Sequence, residues 1–410
     1  MKTTYTIVIL CALLNLAAGC KNTPKADTIP KPQFEYNEVQ TIQTGAEQIE
    51  DYLALIGERN VALVVNQTSM VGEVHLVDKL LGLGVRVQKI FAPEHGFRGT
   101  ADAGEQVTDG RDTRTGLPIV SLYGKNKKPS PEMMQGLDLV IFDIQDVGAR
   151  FYTYISTMTY VMEACAEMGI SFMVLDRPNP NGHYVDGPVL EKAQSSFVGL
   201  HQVPVVHGMT VAEYAYMVNE EGWLKDSVQC SLSYIKCKNY DHNTPYKLPV
   251  KPSPNLPNTR SIYLYPSLCF FEGTSFSIGR GTNTQFQVIG HPENTFGDYE
   301  FTPVPMPGAK YPKHENKSCK GLDLSTLDSE ILSKNKRLEL SYLLDMYANF
   351  EDKDAFFNSN NFFDLLAGNE TLQAQIKAGK SEAEIRATWA DNLQRFKAIR
   401  QKYLLYKDFE

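Results

Sequence analysis

The chain has 410 residues, more than one ordinary hydrophobic core holds, so we expect two folded domains. Hydrophobic residues make up 42% of it and charged residues 21%, a composition typical of globular rather than disordered proteins. The net charge of −8 argues against a nucleic-acid-binding protein, because binding phosphates requires a basic face.

The N-terminus has the pattern of an export signal. Residues 7–16 are almost wholly apolar, and Ala17-Ala-Gly-Cys20 ends the run with small residues. The run is too short to span a bilayer, which takes about 20 residues, and is typical of a secretory signal peptide. A cysteine at this point resembles the bacterial lipoprotein box, although Ala17 stands where leucine is usual. We therefore expect lipidation at Cys20 and a location in the cell envelope, anchored to a membrane on its periplasmic or outer side. Plain secretion is the alternative.

The segment that follows the signal is polar and contains three prolines, which predicts a flexible tether over residues 21–40. Apolar strands then alternate with amphipathic helices, a pattern that predicts a parallel sheet covered on both faces. The fold class is therefore α/β, with a doubly wound and mostly parallel, Rossmann-like sheet in a first domain of residues 41–258. The predicted strands are 61–65, 85–91, 119–123, 137–142, 170–175 and 203–206, and the predicted helices are 45–56, 74–83, 154–168 and 210–219.

The alternation stops at a proline-rich segment, residues 249–257, which we take as the domain boundary. Residues 259–410 are predicted to form a smaller α+β domain. Its predicted elements are β-like pieces at 261–265 and 284–289, a helix at 340–347, and a last helix that starts at the Ser381/Glu384 capping box and runs towards residue 406.

Five cysteines remain once Cys11 and Cys20 are set aside, and their spacing shows no C-x-x-C pair. A disulfide scaffold and a cysteine-held zinc are therefore not expected. Buried free thiols are the favoured interpretation, with a Cys230–Cys237 pair as the alternative. The five are Cys165, Cys230, Cys237, Cys269 and Cys319.

Polar side chains follow five predicted strands at the point where each ends. In open α/β sheets, ligands bind outside the carboxyl ends of the strands, so we expect these residues to converge on one pocket. Taken singly, Asn66 and Asn181 are explained by loop turns, Arg150 by an ion pair with Asp146, and His207 by a place in the core. The candidates are Asn66, Gln67, Thr68, Glu94, His95, Arg98, Asp143, Gln145, Asp146, Arg150, Tyr152, Asp176, Arg177, Asn179, Asn181 and His207.

Glu94 is the leading catalytic candidate. Pro93 and Gly96 bracket it, and the neighbouring Phe91 and Phe97 are apolar groups that could raise its pKa, as a general acid requires. Several other chemistries lack their motifs. The chain has no G-x-G-x-x-G after a strand, no Walker A loop, no G-x-S-x-G elbow and no H-E-x-x-H.

A second glycine-rich segment, residues 270–282, carries Glu272 and Arg280 between glycines 273, 279 and 281. The spacing predicts a tight loop offering backbone donors and two opposite charges, with a bulged hairpin as the alternative. Aromatic residues at 263–265 and 270–271 suit a sugar ring, although core packing explains them equally well.

Together these segments resemble the exo-β-N-acetylmuramidase family of the NamZ type, glycoside hydrolase family 171. The resemblance covers the chain from about residue 45. It rests on Val64-Val-Asn-Gln-Thr68, Phe91-Ala-Pro-Glu-His-Gly-Phe-Arg-Gly99, Phe142-Asp-Ile-Gln-Asp-Val-Gly-Ala-Arg-Phe-Tyr-Thr-Tyr154, Leu175-Asp-Arg-Pro-Asn-Pro-Asn-Gly182, Phe271-Glu-Gly-Thr274 and Gly279-Arg-Gly-Thr282.

The resemblance implies a Rossmann-like domain joined to a smaller one, with the cleft between them. It implies removal of N-acetylmuramic acid (MurNAc) from the non-reducing ends of peptidoglycan fragments, such as a muropeptide or MurNAc-GlcNAc, and it makes Glu94 the catalytic glutamate, without cofactor or metal. His95 adjoins it.

A second carboxylate is usual in glycoside cleavage, and Asp143, Asp146 and Glu272 compete for that role unless the substrate's own N-acetyl group attacks. The lactyl carboxylate of MurNAc needs a cation, for which Arg150, Arg177 and Arg280 are the candidates. The remaining predicted substrate-binding residues are Asn66, Arg98, Gln145, Tyr152, Tyr154, Asp176, Asn179 and His207.

Two other functions fit the same residues. Glu94, His95, Asp143, Asp176 and His207 could hold a divalent metal in an esterase or deacetylase acting on cell-wall sugars. The two domains could instead clamp a sugar without catalysis, as a binding lipoprotein.

Overall fold

A computed structural model describes residues 41–94, 96–97, 110–124 and 126–410. The predicted signal peptide and tether, with Cys20, lie outside the described residues, and so do His95 and Arg98. Residues Thr41–Glu410 form one compact unit. In the described part of the chain, no helix is both long and apolar enough to cross a bilayer.

The strands fall into three sheets. A mostly parallel sheet of seven strands is the largest, three antiparallel strands form a second sheet late in the chain, and two very short strands pair after the first strand. In chain order the described strands are β1 (Asn60–Val65), β2 (Met70–Val71), β3 (Val74–His75), β4 (Arg86–Ala92), β5 (Gly110–Arg111), β6 (Pro118–Ser121), β7 (Leu139–Asp143), β8 (Ser171–Leu175), β9 (Leu232–Ile235), β10 (Val288–His291), β11 (Tyr299–Phe301) and β12 (Cys319–Asp323).

Helices cover the large sheet and make up most of the C-terminal part. They are α1 (Ile49–Ile56), α2 (Leu76–Gly82), α3 (Pro131–Met134), α4 (Tyr154–Met168), α5 (Val211–Glu220), α6 (Thr259–Leu268), α7 (Ser329–Lys334), α8 (Ser341–Asn349), α9 (Lys353–Phe356), α10 (Phe362–Ala367), α11 (Thr371–Lys377) and α12 (Glu382–Arg400). Short 3-10 helices occupy Gly45–Glu47, Lys192–Gln194, Lys225–Ser227, Cys269–Gly273 and Gln401–Tyr403.

The large sheet has the order β5-β6-β4-β1-β7-β8-β9, and every pair except β5–β6 is parallel. Its six parallel strands thus follow the order 3-2-1-4-5-6 that defines the doubly wound fold. The predicted fold class is confirmed. In this topology the chain leaves β1 in one direction and returns to β7 on its other side, which opens a crevice at the carboxyl ends of the central strands.

Alternation along β1 explains why its whole sequence is apolar. Ala62 and Val64 belong to one core cluster, whereas Leu63 and Val65 belong to another on the opposite face, beneath α1 and α2. Successive side chains of a strand point to opposite faces, so a strand covered on both sides is apolar throughout.

One predicted strand is wrong. Residues 203–206 make only isolated bridges, in which Val206 pairs with Ala149 and with Asp186, and they do not join the large sheet. The sixth parallel strand is β9 instead. Its half-buried sequence, Leu-Ser-Tyr-Ile, is too polar to stand out as an apolar run.

The smaller second domain contains the separate sheet β10-β12-β11 and helices α6–α12. The predicted β-like piece at 261–265 is wrong, because these residues lie in α6. Asn258 caps that helix: its side chain accepts from the Ser261 backbone N–H at 2.9 Å. The piece predicted at 284–289 corresponds only in part to β10.

Buried apolar side chains connect the second domain to the large sheet. Phe270 and Phe271 share one core cluster with Phe142 of β7 and with Ile155 of α4. The five cysteines from Cys165 onwards are free and buried, which confirms the prediction made for them. Because one core supports both parts, loops from both can form the walls of a common cleft.

Candidate active site

Glu94 lies two residues beyond β4, at the carboxyl edge of the large sheet. A tight turn follows strand β4: the Gly96 N–H donates to the Pro93 carbonyl at 3.0 Å, and Gly96 has a φ of +74° that favours glycine. The Glu94 carboxylate accepts a hydrogen bond from the Thr153 hydroxyl, 2.9 Å from Oε2. Glu94 is half-buried and faces a cleft.

The cleft has a volume of about 380 Å³ and is lined by residues of both domains. Its size and its mixture of aromatic and charged side chains suit a small polar ligand such as a sugar. Besides Glu94 it is lined by Tyr123, Lys127, Phe151, Tyr152, Thr153, Tyr154, Phe197, Val198, Ser253, Asn255, Leu256, Tyr265, Cys269, Glu272, Arg280, Phe286, Phe362 and Leu366.

Three tyrosines form an aromatic wall. Tyr152 packs edge-on against Tyr154, with ring centroids 4.9 Å apart, and against Tyr265, at 5.6 Å. The Tyr152 hydroxyl donates to the Pro252 carbonyl at 2.8 Å. Burial, and then the Glu94 carboxylate, raise the pKa of Tyr154, so this tyrosine stays protonated beside the catalytic candidate.

An ion pair forms part of the cleft lining contributed by the second domain. The Arg280 guanidinium lies 2.5 Å from the Glu272 carboxylate, and each side chain is about a quarter exposed (25% and 23%). Arg280 sits between Gly279 and Gly281, which have φ values of +78° and +83°. A Cβ at Gly279 would lie 2.7 Å from the Thr284 carbonyl oxygen, so glycine is needed there for the loop to close.

Asp143 and Arg177 bind each other and do not line the cleft. Arg177 Nε lies 2.5 Å from Asp143 Oδ1 and its Nη2 lies 2.9 Å from Oδ2, with both side chains almost fully buried. The bidentate pair joins the end of β7 to the loop after β8. Since each charge is taken up by the other, neither residue is available to a ligand in the cleft.

Arg150 is also part of the scaffold. It is fully buried, and its guanidinium donates to the carbonyls of Pro188 at 2.9 Å, Val203 at 2.8 Å and Leu366 at 2.7 Å. It does not bond to Asp146, the partner that sequence reasoning offered for it. The three carbonyls come from three separate segments, so Arg150 ties them together.

Asp146 lies fully buried beside the tyrosine wall. Its Oδ1 accepts from the Gly148 N–H at 2.6 Å, whereas its buried Oδ2 has no hydrogen-bond partner. Burial raises the pKa of Asp146 to about 7. Asp146 does not line the cleft, but its charge helps to raise the pKa of two tyrosines that do, Tyr152 and Tyr154, in both cases as a smaller cause than burial.

Five further predicted substrate-binding residues hold loops together instead of lining the cleft. Each is buried, and each hydrogen-bonds the backbone of the chain. The contacts are Asn66 Oδ1 with the Thr68 N–H (2.9 Å), Gln145 Nε2 with the Pro178 carbonyl (2.7 Å), Asp176 Oδ1 with the Ala212 N–H (3.0 Å), Asn179 Nδ2 with the Met209 carbonyl (2.9 Å) and His207 Nδ1 with the Met209 N–H (3.3 Å).

The ligand set of the metal hypothesis is not assembled in the described residues. No three His, Cys, Asp or Glu side chains of residues 41–94, 96–97, 110–124 and 126–410 lie together in a way that could hold an ion. Asp143 bonds Arg177, and Asp176 bonds the Tyr406 hydroxyl at 2.6 Å. Burial lowers the pKa of His207 to about 3, which keeps it neutral within the core.

Two family models match consecutive parts of the chain. The N-terminal model of the exo-β-N-acetylmuramidase NamZ matches residues 61–260, and the C-terminal model matches residues 263–406. The chain belongs to the NamZ family. It is 37% identical over 413 residues to the peptidoglycan β-N-acetylmuramidase NamZ of Bacillus subtilis (strain 168), covering 95% of each chain.

Two solved structures have the same fold as this NamZ-family chain. Both are crystal structures of DUF1343 family proteins from Bacteroides fragilis NCTC 9343. The first is 48% identical, with a TM-score of 0.83, and covers 90% of this chain and 100% of the other. The second is 29% identical, with a TM-score of 0.77, and covers 89% and 99%.

The cleft of this NamZ-family chain thus brings together Glu94, Tyr152, Tyr154, Glu272 and Arg280 from the residues that the sequence suggested. It leaves out Asn66, Asp143, Gln145, Asp146, Arg150, Asp176, Arg177, Asn179 and His207.

Several cleft residues were missed by sequence reasoning. Thr153, between two predicted tyrosines, bonds Glu94, and Tyr123 follows β6, a strand end to which the same positional rule applies. Asn255 belongs to the proline-rich segment taken as a domain boundary, and part of that segment lines the cleft. Lys127 and Phe197 carried no signal in the sequence; the Lys127 ammonium lies 4.5 Å from the Phe197 ring centroid.

Proposed function

We propose that this chain is an exo-acting glycosidase that releases MurNAc from the non-reducing ends of peptidoglycan fragments, with Glu94 as general acid/base. Family membership supports the reaction class, since the Bacillus subtilis relative is named as a peptidoglycan β-N-acetylmuramidase. The observation that carries the residue assignment is the Glu94 carboxylate, held by Thr153 in a cleft walled by tyrosines.

Glycoside cleavage begins with proton transfer to the leaving oxygen, for which a carboxyl group in the cleft is required. Glu94 supplies it, and the Thr153 hydroxyl fixes the direction of one carboxylate oxygen. As its bond to the leaving oxygen breaks, the MurNAc ring develops positive charge as an oxocarbenium-like species. Sugar rings pack against aromatic side chains, and the tyrosine wall places three of them in the lining of the cleft.

Glu272 is our choice for the second carboxylate. Of the three earlier candidates, Asp143 is neutralised by Arg177 and Asp146 does not line the cleft, whereas Glu272 does. Its negative charge favours the developing oxocarbenium. The alternative to Glu272 is the N-acetyl group of MurNAc, which could itself attack the anomeric carbon. The variant Glu272→Gln distinguishes the two: if the N-acetyl group attacks, the variant keeps substantial activity, and if Glu272 is the second carboxylate, it does not.

For the lactyl carboxylate, we propose Arg280 and Lys127 as the cations. Both line the cleft, whereas Arg150 and Arg177 are buried and bonded within the protein. Binding a carboxylate at Arg280 would draw the guanidinium away from Glu272, which would free that carboxylate to face the sugar.

The test is hydrolysis of a chromogenic MurNAc glycoside in excess chelator, with Glu94→Gln and the control Glu132→Gln, an exposed glutamate on α3. We expect the wild type and the control to turn over and Glu94→Gln to lose about 10²–10⁴-fold in kcat, the usual contribution of a general acid. Wild-type rates in Glu94→Gln would remove Glu94 from the mechanism. Chelator-sensitive ester or amide hydrolysis, or binding without turnover, would favour the other functions.

Exo action has its own assay. We expect an intact glycan chain to yield free MurNAc as the only early product, and a chain whose non-reducing end is blocked to remain whole. Oligosaccharides released early from the interior would contradict exo action while leaving the glycosidase activity in place.

We also propose that Cys20 carries a lipid anchor, since the apolar run and small residues before it suit an export signal. In cells fed a clickable fatty acid, we expect the wild-type protein to be labelled and to sediment with membranes. Cys20→Ala should be unlabelled and soluble; a labelled or membrane-bound Cys20→Ala protein would disprove the anchor.

A further inference from the structure

A second cleft, of about 430 Å³, lies directly beside the first. It is lined mainly by residues 247–260, and Leu256 lines both clefts. The proline-rich segment from Pro252 to Leu256 is therefore the wall between them. Tyr152 of the first cleft holds that wall in place together with Gln67, since both donate hydrogen bonds to the Pro252 carbonyl, at 2.8 and 3.0 Å.

The lining of this second cleft is cationic. Lys247, Lys251 and Arg260 contribute to it, and no aspartate or glutamate does. Within the described residues none of the three forms an ion pair, and both lysines are exposed. The chain as a whole has a net charge of −8, whereas the residues that line this cavity include three cations and no carboxylate. The local charge is therefore opposite to that of the whole chain. Such a cavity attracts anions.

We propose that the second cleft binds a carboxylate carried by the same glycan chain whose end occupies the first cleft. This inference rests on the proposed function. A peptidoglycan strand bears a lactyl ether on every second sugar, so a chain that crosses the Pro252–Leu256 wall brings a second anionic group to the three cations. The carboxylate is that of the next lactyl group or of a peptide stem attached to it.

With this arrangement the enzyme recognises more of the glycan chain than its terminal disaccharide. Fragments long enough to reach the second cleft gain an ionic contact that shorter fragments lack. Because Lys247 and Lys251 are exposed, the contact is modest and screened by salt. We expect the KM of a MurNAc-GlcNAc tetrasaccharide to be about fivefold below that of the disaccharide, which corresponds to about 1 kcal/mol.

The test compares four substrates: the disaccharide, the tetrasaccharide with a free inner lactyl carboxylate, the same tetrasaccharide with that carboxylate amidated, and one bearing a peptide stem there. The variant is Lys247→Gln/Lys251→Gln. Its matched control is Lys192→Gln/Lys225→Gln, two exposed lysines outside both clefts that remove the same charge.

We expect the variant to keep the wild-type kcat and KM on the disaccharide but to lose the tetrasaccharide preference, and the control to keep both. A preference for the free inner carboxylate identifies the lactyl group as the ligand, and a preference only for the stem-bearing substrate identifies the stem. The inference would be overturned if the free and amidated tetrasaccharides had equal KM values and the stem-bearing substrate had no lower one. It would also be overturned if the double lysine variant kept the lower KM for the tetrasaccharide. Disaccharide turnover reports on the proposed function separately.

Discussion

The buried Asp143–Arg177 pair gives the sharpest test of the distinction between scaffold and site. The two side chains meet through two short contacts, 2.5 and 2.9 Å, and are 0% and 3% exposed. Removing one partner leaves the other charge buried without compensation, which typically costs about 3–5 kcal/mol. That is a large part of the total stability of about 5–15 kcal/mol usual for folded proteins. We therefore expect Arg177→Met and Asp143→Leu each to be strongly destabilised.

The double variant Asp143→Leu/Arg177→Met removes both charges and should recover much of that loss, because apolar residues of similar volume often replace a buried ion pair at little cost. The unfolding free energies of the wild type, the two single variants and the double variant then give the coupling energy between Asp143 and Arg177. Urea unfolding followed by the fluorescence of Trp223 and Trp389 provides the stabilities.

Activity separates the two possible roles. If the pair is scaffold, the double variant retains kcat within about tenfold when assayed well below its unfolding midpoint. If Asp143 were the second catalytic carboxylate, the double variant would keep its fold and lose turnover as completely as Glu94→Gln. That result would refute the assignment of these two residues to the scaffold.

Three more predictions concern the same loops. Thr153→Val should lower kcat about tenfold with little change in KM, because it removes the hydrogen bond at 2.9 Å that orients Glu94, an effect of about 1.4 kcal/mol; an unchanged kcat would show that this bond is dispensable. Gly148→Ala should lower the urea midpoint, since a Cβ there would lie 2.2 Å from the Asn179 side chain and φ is +76°; an unchanged midpoint would contradict the tight packing. Asp146→Asn should stabilise the protein more at pH 8 than at pH 5. Burial raises the pKa of Asp146 from 3.8 to about 7, so the folded state binds the proton more tightly and its stability falls as pH rises between those values; a difference that is constant with pH would contradict this.

Much of the sheet was predictable because its strands are buried on both faces. β1 and β7 are continuous apolar runs, a pattern that turns and surface helices do not produce. β9 escaped notice because its residues are only half-buried, so hydrophobicity gives no signal there. Residues 203–206 were predicted as a strand because three of the four are valines. These valines are indeed buried, yet burial alone does not provide strand partners.

The β-like piece predicted within helix α6 was wrong for a different reason. Ile262 and Leu264 alternate as in a strand, but Asn258 and Ser261 form a capping box, and the buried positions 261, 265 and 268 recur at helical spacing. The capping residues carried the decisive signal. The apolar pattern of a short segment fits both a helix and a strand. The capping residues at its ends then have to distinguish the two.

The site could be predicted only in part, for a physical reason. A polar residue after a strand either enters the cleft or ties the loop down, and both roles select the same residue types. Glu94 follows β4 and Asp143 ends β7, the two strands that flank β1, but one side chain faces the cleft and the other an arginine 2.5 Å away. Only the direction of the side chain distinguishes them, and direction depends on the partner that the fold brings close.

The buried polar residues outside the cleft lining nonetheless bear on function, because their hydrogen bonds fix the backbone from which the cleft side chains project. Arg150 bonds the Leu366 carbonyl at 2.7 Å, and Leu366 itself lines the cleft, so a residue next to Phe151 and Tyr152 holds the wall contributed by α10. A group aimed at a transition state must keep its position without reorganising, and buried charge-assisted bonds provide that rigidity. Of the three arginines considered for the substrate's carboxylate, Arg150 and Arg177 therefore belong to the layer beneath the cleft lining, where each bonds the protein itself. Arg280 lies in the lining with Glu94 and Glu272, and the rigid layer behind them keeps these side chains in position.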